Sequence, residues 1–252
     1  MPEDVEPRAN RDFAWATFDP ESYFHHYYGD PHPDDIRVAK LTAIALAEAQ
    51  PRGHSLDIVD VGTGSSFLPW LAALPRAKSL AAWEYSEPNL RWLAQELGRE
   101  RLRPQWGSFW DAIRADLPRE CLLPDDPTSR LREVCALHQG SIFDLPERCW
   151  DAATMFFCAE SITEQVDEFE RACAAFARCT MASGTLVAAF LARSSGYEVS
   201  HRRFPALSVD ERLLRRTFAP LADDLSIIPI GLADKEVRSG YSGMFFLRAK
   251  AR

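Results

Sequence analysis

One stretch constrains this chain more than any other: Ser55-Leu56-Asp57-Ile58-Val59-Asp60-Val61-Gly62-Thr63-Gly64-Ser65-Ser66. It begins with apolar and β-branched residues, which favour a buried parallel strand. It ends in Gly-Thr-Gly, a bend where the backbone must come close to something. The apolar run from Phe67 to Leu74 follows and reads as a helix with Pro69 in its first turn. In a doubly wound sheet such a turn lies at the carboxyl end of the first strand, where ligands bind. Ser79 to Glu84 reads as the next strand, with an acid at its tip. An acid about 20 residues past a glycine turn suits both hydroxyls of a ribose. Gly62 and Gly64 alone could serve only a tight turn; with Glu84 they indicate a nucleoside. The dinucleotide pattern G-x-G-x-x-G would need a glycine where Phe67 stands, and no P-loop Lys-Ser/Thr follows. Nothing here cradles a pyrophosphate, so S-adenosylmethionine, an adenosine without phosphates, fits better than NAD or ATP.

At 252 residues the chain is long enough for one full α/β domain with a sizeable core. Its formal charge of −8 argues against a broad phosphate-tracking surface, and so against nucleic acid as substrate. Cys121, Cys135, Cys149, Cys158, Cys173 and Cys179 form no C-x-x-C pair and no Cys/His ligand spacing. They are expected as free thiols in a reducing cytosol, with no metal site. Met1 to Arg11 has no apolar h-region, and no apolar run approaches a membrane span. The expectation is a cytoplasmic protein, monomeric or weakly dimeric, with a small-molecule partner and no membrane.

Residues 1 to about 14 read as a loose polar arm. Asp19 and Pro20 suit the N-cap and first turn of a helix that runs to Tyr28. Its Tyr23-Phe24-His25-His26-Tyr27-Tyr28 is either a packed aromatic helix or a lid over a ligand, and tyrosine rings suit a sulfonium cation. Asp34 to Gln50 carries an amphipathic stripe, ended by Pro51-Arg52-Gly53. Residues 1–53 thus read as arm and helical cap, and 54–252 as the nucleoside-binding domain. Ser86 is placed to cap a helix running to about Arg101. Residues 104–133, rich in Pro and charge, read as a surface excursion with short helices. Glu133 to His138 is a third strand and Trp150 to Phe157 a fourth, followed by a helix from about Glu164 to Cys179. Thr185 to Leu191 is a fifth. Residues 192–207 interrupt the alternation, and Ser208 with Glu211 reads as a capping box. Leu225 to Ile230 and Tyr241 to Ala249 end a mostly parallel sheet with an antiparallel pair.

Phe18-Asp19-Pro20-Glu21-Ser22-Tyr23 with Tyr27-Tyr28, then Asp60 to Ser65, then Glu84-Tyr85-Ser86-Glu87-Pro88-Asn89, and finally Gly243-Met244-Phe245-Phe246 carry a family likeness. Over residues 17 to 250 the chain resembles the S-adenosylmethionine-dependent small-molecule methyltransferases that include nicotinamide, phenylethanolamine and indolethylamine N-methyltransferases and a thioether S-methyltransferase. The resemblance implies a Rossmann-like class I methyltransferase fold: a seven-stranded, mostly parallel sheet with an antiparallel C-terminal strand, under an N-terminal helical lid. It implies Tyr23 and Tyr28 near the methionine moiety, and Gly62, Thr63 and Gly64 against the cofactor's backbone. Glu84 would hold the ribose, with Asn89 beside it and Tyr85 on the adenine. Gly140, Ser141 and Ile142 would meet the adenine edge, and Phe156 or Phe157 would lie beneath the methionine. The family's adenine-edge acid is Ser141 here, so Asp144 takes over or the contact weakens. Phe190 aligns with an aspartate of the nicotinamide-type enzymes, which points to a more apolar or aromatic acceptor.

Methyl transfer from a sulfonium needs chiefly positioning and desolvation, and a neutral amine brings its own lone pair. The expected function is therefore small-molecule N-methylation with S-adenosylhomocysteine as product. O-methylation, cyclisation of S-adenosylmethionine and a non-catalytic scaffold are the alternatives. Tyr23, Glu160, Ser194 and Tyr197 are the candidate acceptor contacts. Glu160 could equally be an acid at the start of a helix, and His201 reads as a solvated loop residue.

Overall fold

The structure, a computed structural model, describes residues 7–49, 54–117, 123–232 and 242–252. Helices α1 (Pro20–Tyr28) and α2 (Pro33–Ala47) come first. Then follow β1 (Leu56–Val61), α3 (Leu68–Ala73), β2 (Ala77–Glu84), α4 (Glu87–Leu97), α5 (Pro104–Asp116), α6 (Thr128–Val134) and β3 (Cys135–Gln139). Next are β4 (Trp150–Phe156), α7 (Val166–Arg178), β5 (Thr180–Leu191), the short strands β6 (Tyr197–Val199) and β7 (Arg202–Phe204), α8 (Glu211–Phe218), β8 (Ala222–Ile230) and β9 (Met244–Ala251). Seven strands form one sheet in the order β3-β2-β1-β4-β5-β9-β8. Strands β3, β2, β1, β4 and β5 pair in parallel, and β9 runs antiparallel to both of its neighbours.

The pleat sorts the strand residues between two cores. Ile58, Ala152 and Val187 join the aromatic core shared with α2, α3 and α5, while Val59, Ala153 and Leu186 join the core under α7 and α8. Strand order reverses at β1, which lies between β2 and β4. That switch point opens the crevice where ligands bind in such sheets. The register sets Val61 beside Trp83 and Asp60 beside Thr154, so the tips of three strands meet there.

Two expectations are corrected. Over its described residues the 104–133 stretch holds helices, as expected, but α5 is no surface excursion. Trp106, Phe109, Trp110 and Ile113 recur at helical spacing on α5 and are fully buried, with α5 packed on α2 and α3. The flanking prolines and charges obscured that stripe. Nor is the polar arm loose over its described residues. The Arg8 amide and guanidinium donate to the Glu164 carboxylate at 3.0 Å, and the Asn10 amide to Glu168 Oε2 at 2.7 Å. Ala9 and Phe13 are buried.

Other boundaries shift by local capping. Asp210, not Ser208, caps α8 by accepting from the Leu213 amide at 2.7 Å. His32 caps α2, and α4 stops at Leu97. Asp19 caps α1 as its sequence predicts, accepting from the Ser22 amide at 3.0 Å. The 192–207 interruption contains the β6–β7 hairpin. Features expected at residues 1–6, at Pro51, Arg52 and Gly53, and at Cys121 and Tyr241 lie outside the described residues. The five described cysteines are free thiols. Among the described residues no helix is long and apolar enough to cross a membrane.

Candidate active site

The site is built on the tip of β1. Asp60 is buried there and accepts from Thr154 Oγ1 at 2.7 Å and from Trp70 Nε1 at 3.0 Å. Burial pushes its carboxyl up to about 6 against those donors. Gly62 turns the chain at φ +66, and a Cβ there would fall 2.1 Å from Cys158 Sγ. Gly62→Ala therefore combines left-handed strain with a clash, and should cost about 2–4 kcal/mol of stability. Urea unfolding at wild-type stability would show instead that the turn can shift. Gly64 also has positive φ, but a Cβ there would meet only the Gly62 carbonyl oxygen at 4.0 Å, so its glycine serves the backbone conformation.

Glu84 closes the turn from β2. One carboxylate oxygen accepts from the Gly64 amide at 2.8 Å; the other accepts from the Ser86 amide at 2.7 Å and from Asn89 Nδ2 at 3.3 Å. Burial still raises its carboxyl above the ordinary range. Gly140 has a packing reason of its own, since a Cβ there would lie 2.5 Å from the Trp83 ring. Trp83 Nε1 donates to the Ser141 carbonyl at 2.9 Å and pins this turn.

These groups face a cleft enclosing about 1020 Å³, its open mouth included. One flank carries Gly62, Thr63, Gly64, Glu84, Tyr85, Asn89, Gly140, Ser141 and Ile142. The other is aromatic: Trp15, Phe18, Tyr23, Tyr27, Tyr28, Phe156, Phe157 and Tyr197. The Tyr23 ring lies 4.5 Å from Tyr27, 5.4 Å from Phe18, 6.1 Å from Tyr197 and 6.3 Å from Tyr28. Phe157 turns the chain off β4 at φ +52, a strained conformation of the kind kept at functional sites. Tyr197 approaches the Ser161 carbonyl at 3.5 Å, and burial holds its phenol well above its ordinary range. Asn89 Oδ1 and Ser65 Oγ are buried at the cleft with no hydrogen-bond partner among the described residues. Two such orphans suit a ligand that brings hydroxyls and amines.

All the expected cofactor contacts line the cleft, with both Phe156 and Phe157 present. Four of the other residues singled out for the site in the sequence do not. Glu160 is fully buried behind the wall, where its Oε1 accepts from the Leu191 amide at 2.9 Å. Burial pushes its carboxyl up to about 8, so it is neutral near pH 7. Ser194 is buried outside the lining. Phe190 packs between Phe169 and Phe218 on the opposite face of the sheet, so it does not bear on the acceptor. Its neighbour Leu191 reaches the cleft, because one step along a strand reverses the face. Asp144 is exposed and outside the lining, and the Ser141 hydroxyl instead accepts from the Phe143 amide at 3.2 Å. His201 is fully exposed, as expected.

Sequence reasoning missed Asn10, Trp15, Ser161, Ile162 and Leu191 in the lining. For Trp15 a signal existed: with Phe13 and Phe18 it makes three large aromatics within six residues at the end of a polar arm.

The strand order, the antiparallel β9 and the cleft at the switch point define the Rossmann-like class I fold of S-adenosylmethionine-dependent methyltransferases. Similar solved structures include magnesium protoporphyrin IX methyltransferase from Synechocystis PCC 6803, with a TM-score of 0.55 and 12% identity over 94% of this chain and 99% of that one. Another is the 1,6-didemethyltoxoflavin-N1-methyltransferase of Burkholderia thailandensis, with a TM-score of 0.54 and 13% identity over 100% of this chain and 94% of that one. Residues 7–252 match the NNMT/PNMT/TEMT family, and the chain belongs to it. It is a methyltransferase that uses S-adenosylmethionine. Phenylethanolamine N-methyltransferase of Bos taurus is 22% identical over 264 residues, 95% of this chain and 90% of that protein. The Homo sapiens protein of the same name is 24% identical over 224 residues, 80% of this chain and 76% of that protein.

Proposed function

We propose that this methyltransferase acts on a nitrogen of a small, flat, uncharged acceptor. One observation carries the reading. Among the described residues lining the cleft, Glu84 is the only carboxylate, and there is no histidine, lysine or arginine. Glu84 is tied to Gly64, Ser86 and Asn89 and is not placed to pair with an ammonium group. A phenol or carboxylate acceptor would want a base or a charge partner, whereas a neutral nitrogen already presents its lone pair.

In this reading Glu84 and Asn89 hold the ribose, and Tyr85 and Ile142 flank the adenine, with Gly140 and Ser141 at its edge. The backbone of Gly62, Thr63 and Gly64 approaches the cofactor closely. Tyr23, Tyr28 and Phe157 surround the methionine end, where aromatic faces favour a cation. S-adenosylmethionine, when bound, supplies a methyl group on a sulfonium, open to in-line displacement by the nitrogen. The aromatic wall excludes water and aligns the acceptor, so the chain contributes chiefly positioning. Tyr197, held protonated, can donate to the acceptor but cannot serve as its base. Tyr197→Phe should raise the acceptor KM about fivefold, the scale of one neutral hydrogen bond, with cosubstrate affinity unchanged. An unchanged acceptor KM would remove Tyr197 from the site.

The test is calorimetric titration with S-adenosylmethionine, S-adenosylhomocysteine and NAD, followed by mass spectrometry on a panel of neutral heteroaromatic amines and cationic aliphatic amines. Methylation confined to the cationic amines would overturn the acceptor class. Release of methylthioadenosine in place of adenosylhomocysteine would overturn methyl transfer itself. The same reading takes residues 1–53 as a cap on the 54–252 domain, and the protein as a monomer or weak dimer.

A further inference from the structure

Three tyrosines of the aromatic wall, Tyr23, Tyr27 and Tyr28, sit on a nine-residue helix, α1. A helix that short has no stability of its own and stands only where the rest of the protein holds it. Besides the Tyr28 ring against Trp106 and Phe109 and the Asp19 carboxylate accepting from Ser200 Oγ at 2.7 Å, two contacts hold it. Phe24 enters the core 5.6 Å from Trp92 and 5.2 Å from Trp106. Glu21, one turn before it, is gripped by Arg103: Nη1 donates to Glu21 Oε1 at 2.7 Å and Nη2 to Oε2 at 2.8 Å.

Arg103 is gripped in turn. Its Nε and Nη2 both donate to the Glu96 carboxylate at 2.8 Å, and its guanidinium carbon stands 4.5 Å over the Phe24 ring. Trp92 Nε1 completes the arrangement by donating to Glu21 Oε2 at 2.6 Å. The Glu96 side chain is 2% exposed and that of Arg103 14%. The Glu21 side chain is 45% exposed, but it shares a guanidinium that the buried Glu96 already holds, unlike an isolated surface ion pair, which contributes little. A planar fork meets two carboxylates and stacks on a ring at once, and no lysine can do the same. Neither Arg103 nor Glu21 lines the cleft.

We infer that Arg103 is a positioning residue for the methyl donor: through Glu21 it fixes the tyrosine face of α1 against the cleft. The inference rests on the reading of that face as the wall around the methionine end. Arg103→Lys and Glu21→Gln should each weaken S-adenosylmethionine and S-adenosylhomocysteine binding about tenfold, the scale of one charge-assisted hydrogen bond. The deciding comparison is made in a Tyr23→Ala background. If Arg103 acts through the tyrosine face, Arg103→Lys should there cost less than about twofold, because coupled groups are not additive. A merely structural role would cost the same in both backgrounds, and that outcome overturns the inference. Wild-type affinity in both single variants overturns it as well. Wild-type affinity in Tyr23→Ala alone would remove the wall reading, and the inference with it.

Discussion

Glu84→Gln should bind S-adenosylmethionine more than a hundredfold more weakly, a loss of about 3 kcal/mol. A charged acceptor is worth about 1.5–3 kcal/mol per hydrogen bond, and two ribose hydroxyls would share this carboxylate. The amide cannot substitute, because the same oxygens also serve Gly64, Ser86 and Asn89. An –NH2 group on either side would oppose a backbone N–H and loosen the glycine turn. Calorimetry decides it. Affinity within threefold of wild type, in a variant that still folds, would remove Glu84 from the nucleoside site.

The second large effect concerns stability. Glu160 is fully buried, with its carboxyl raised from an ordinary 4.5 to about 8. Between those values the folded protein holds a proton that the unfolded chain has released. Stability should therefore fall as pH rises from about 4.5 towards about 8, by roughly 1.4 kcal/mol per unit and about 4–5 kcal/mol in all. Asp60, raised from 3.8 to about 6, acts with the same sign over a lower window. A comparison of wild type with Glu160→Gln isolates the Glu160 part. The glutamine keeps an oxygen for the Leu191 amide and cannot ionise. It should match wild type or lag slightly near pH 5 and be the more stable protein at pH 8.5. Urea unfolding at the two pH values tests this, and a constant difference between the proteins would show that Glu160 does not titrate in this range.

Nearly all of the flank that carries the glycine turn and Glu84 was legible in the sequence. Gly62, Gly64 and Glu84 announce themselves because a glycine turn and an acid at the next strand tip are local signals of spacing and residue type. The α1 cap at Asp19 was legible for the same reason: capping acts within three residues. The aromatic flank was legible only in part: Tyr23, Tyr28, Phe157 and Tyr197 were expected there, Trp15 and Leu191 were not. Trp15 faces the cleft because the arm is tied to Glu164 and Glu168, more than 150 positions away along the chain. Phe190 and Leu191 could not be assigned to faces until the register of β5 was known.

By itself, then, the amino-acid sequence determined the strand–turn–helix start, the alternation that makes the sheet, the family and the nucleoside. These rest on periodicity, backbone conformation and capping, interactions a few residues long. Only the tertiary structure decided which acid is buried and neutral, which faces of β5 and α1 meet the cleft, and that Arg103 joins α1 to α4. Those outcomes depend on groups brought together from distant parts of the chain, where burial and geometry, not residue type, set what a side chain does.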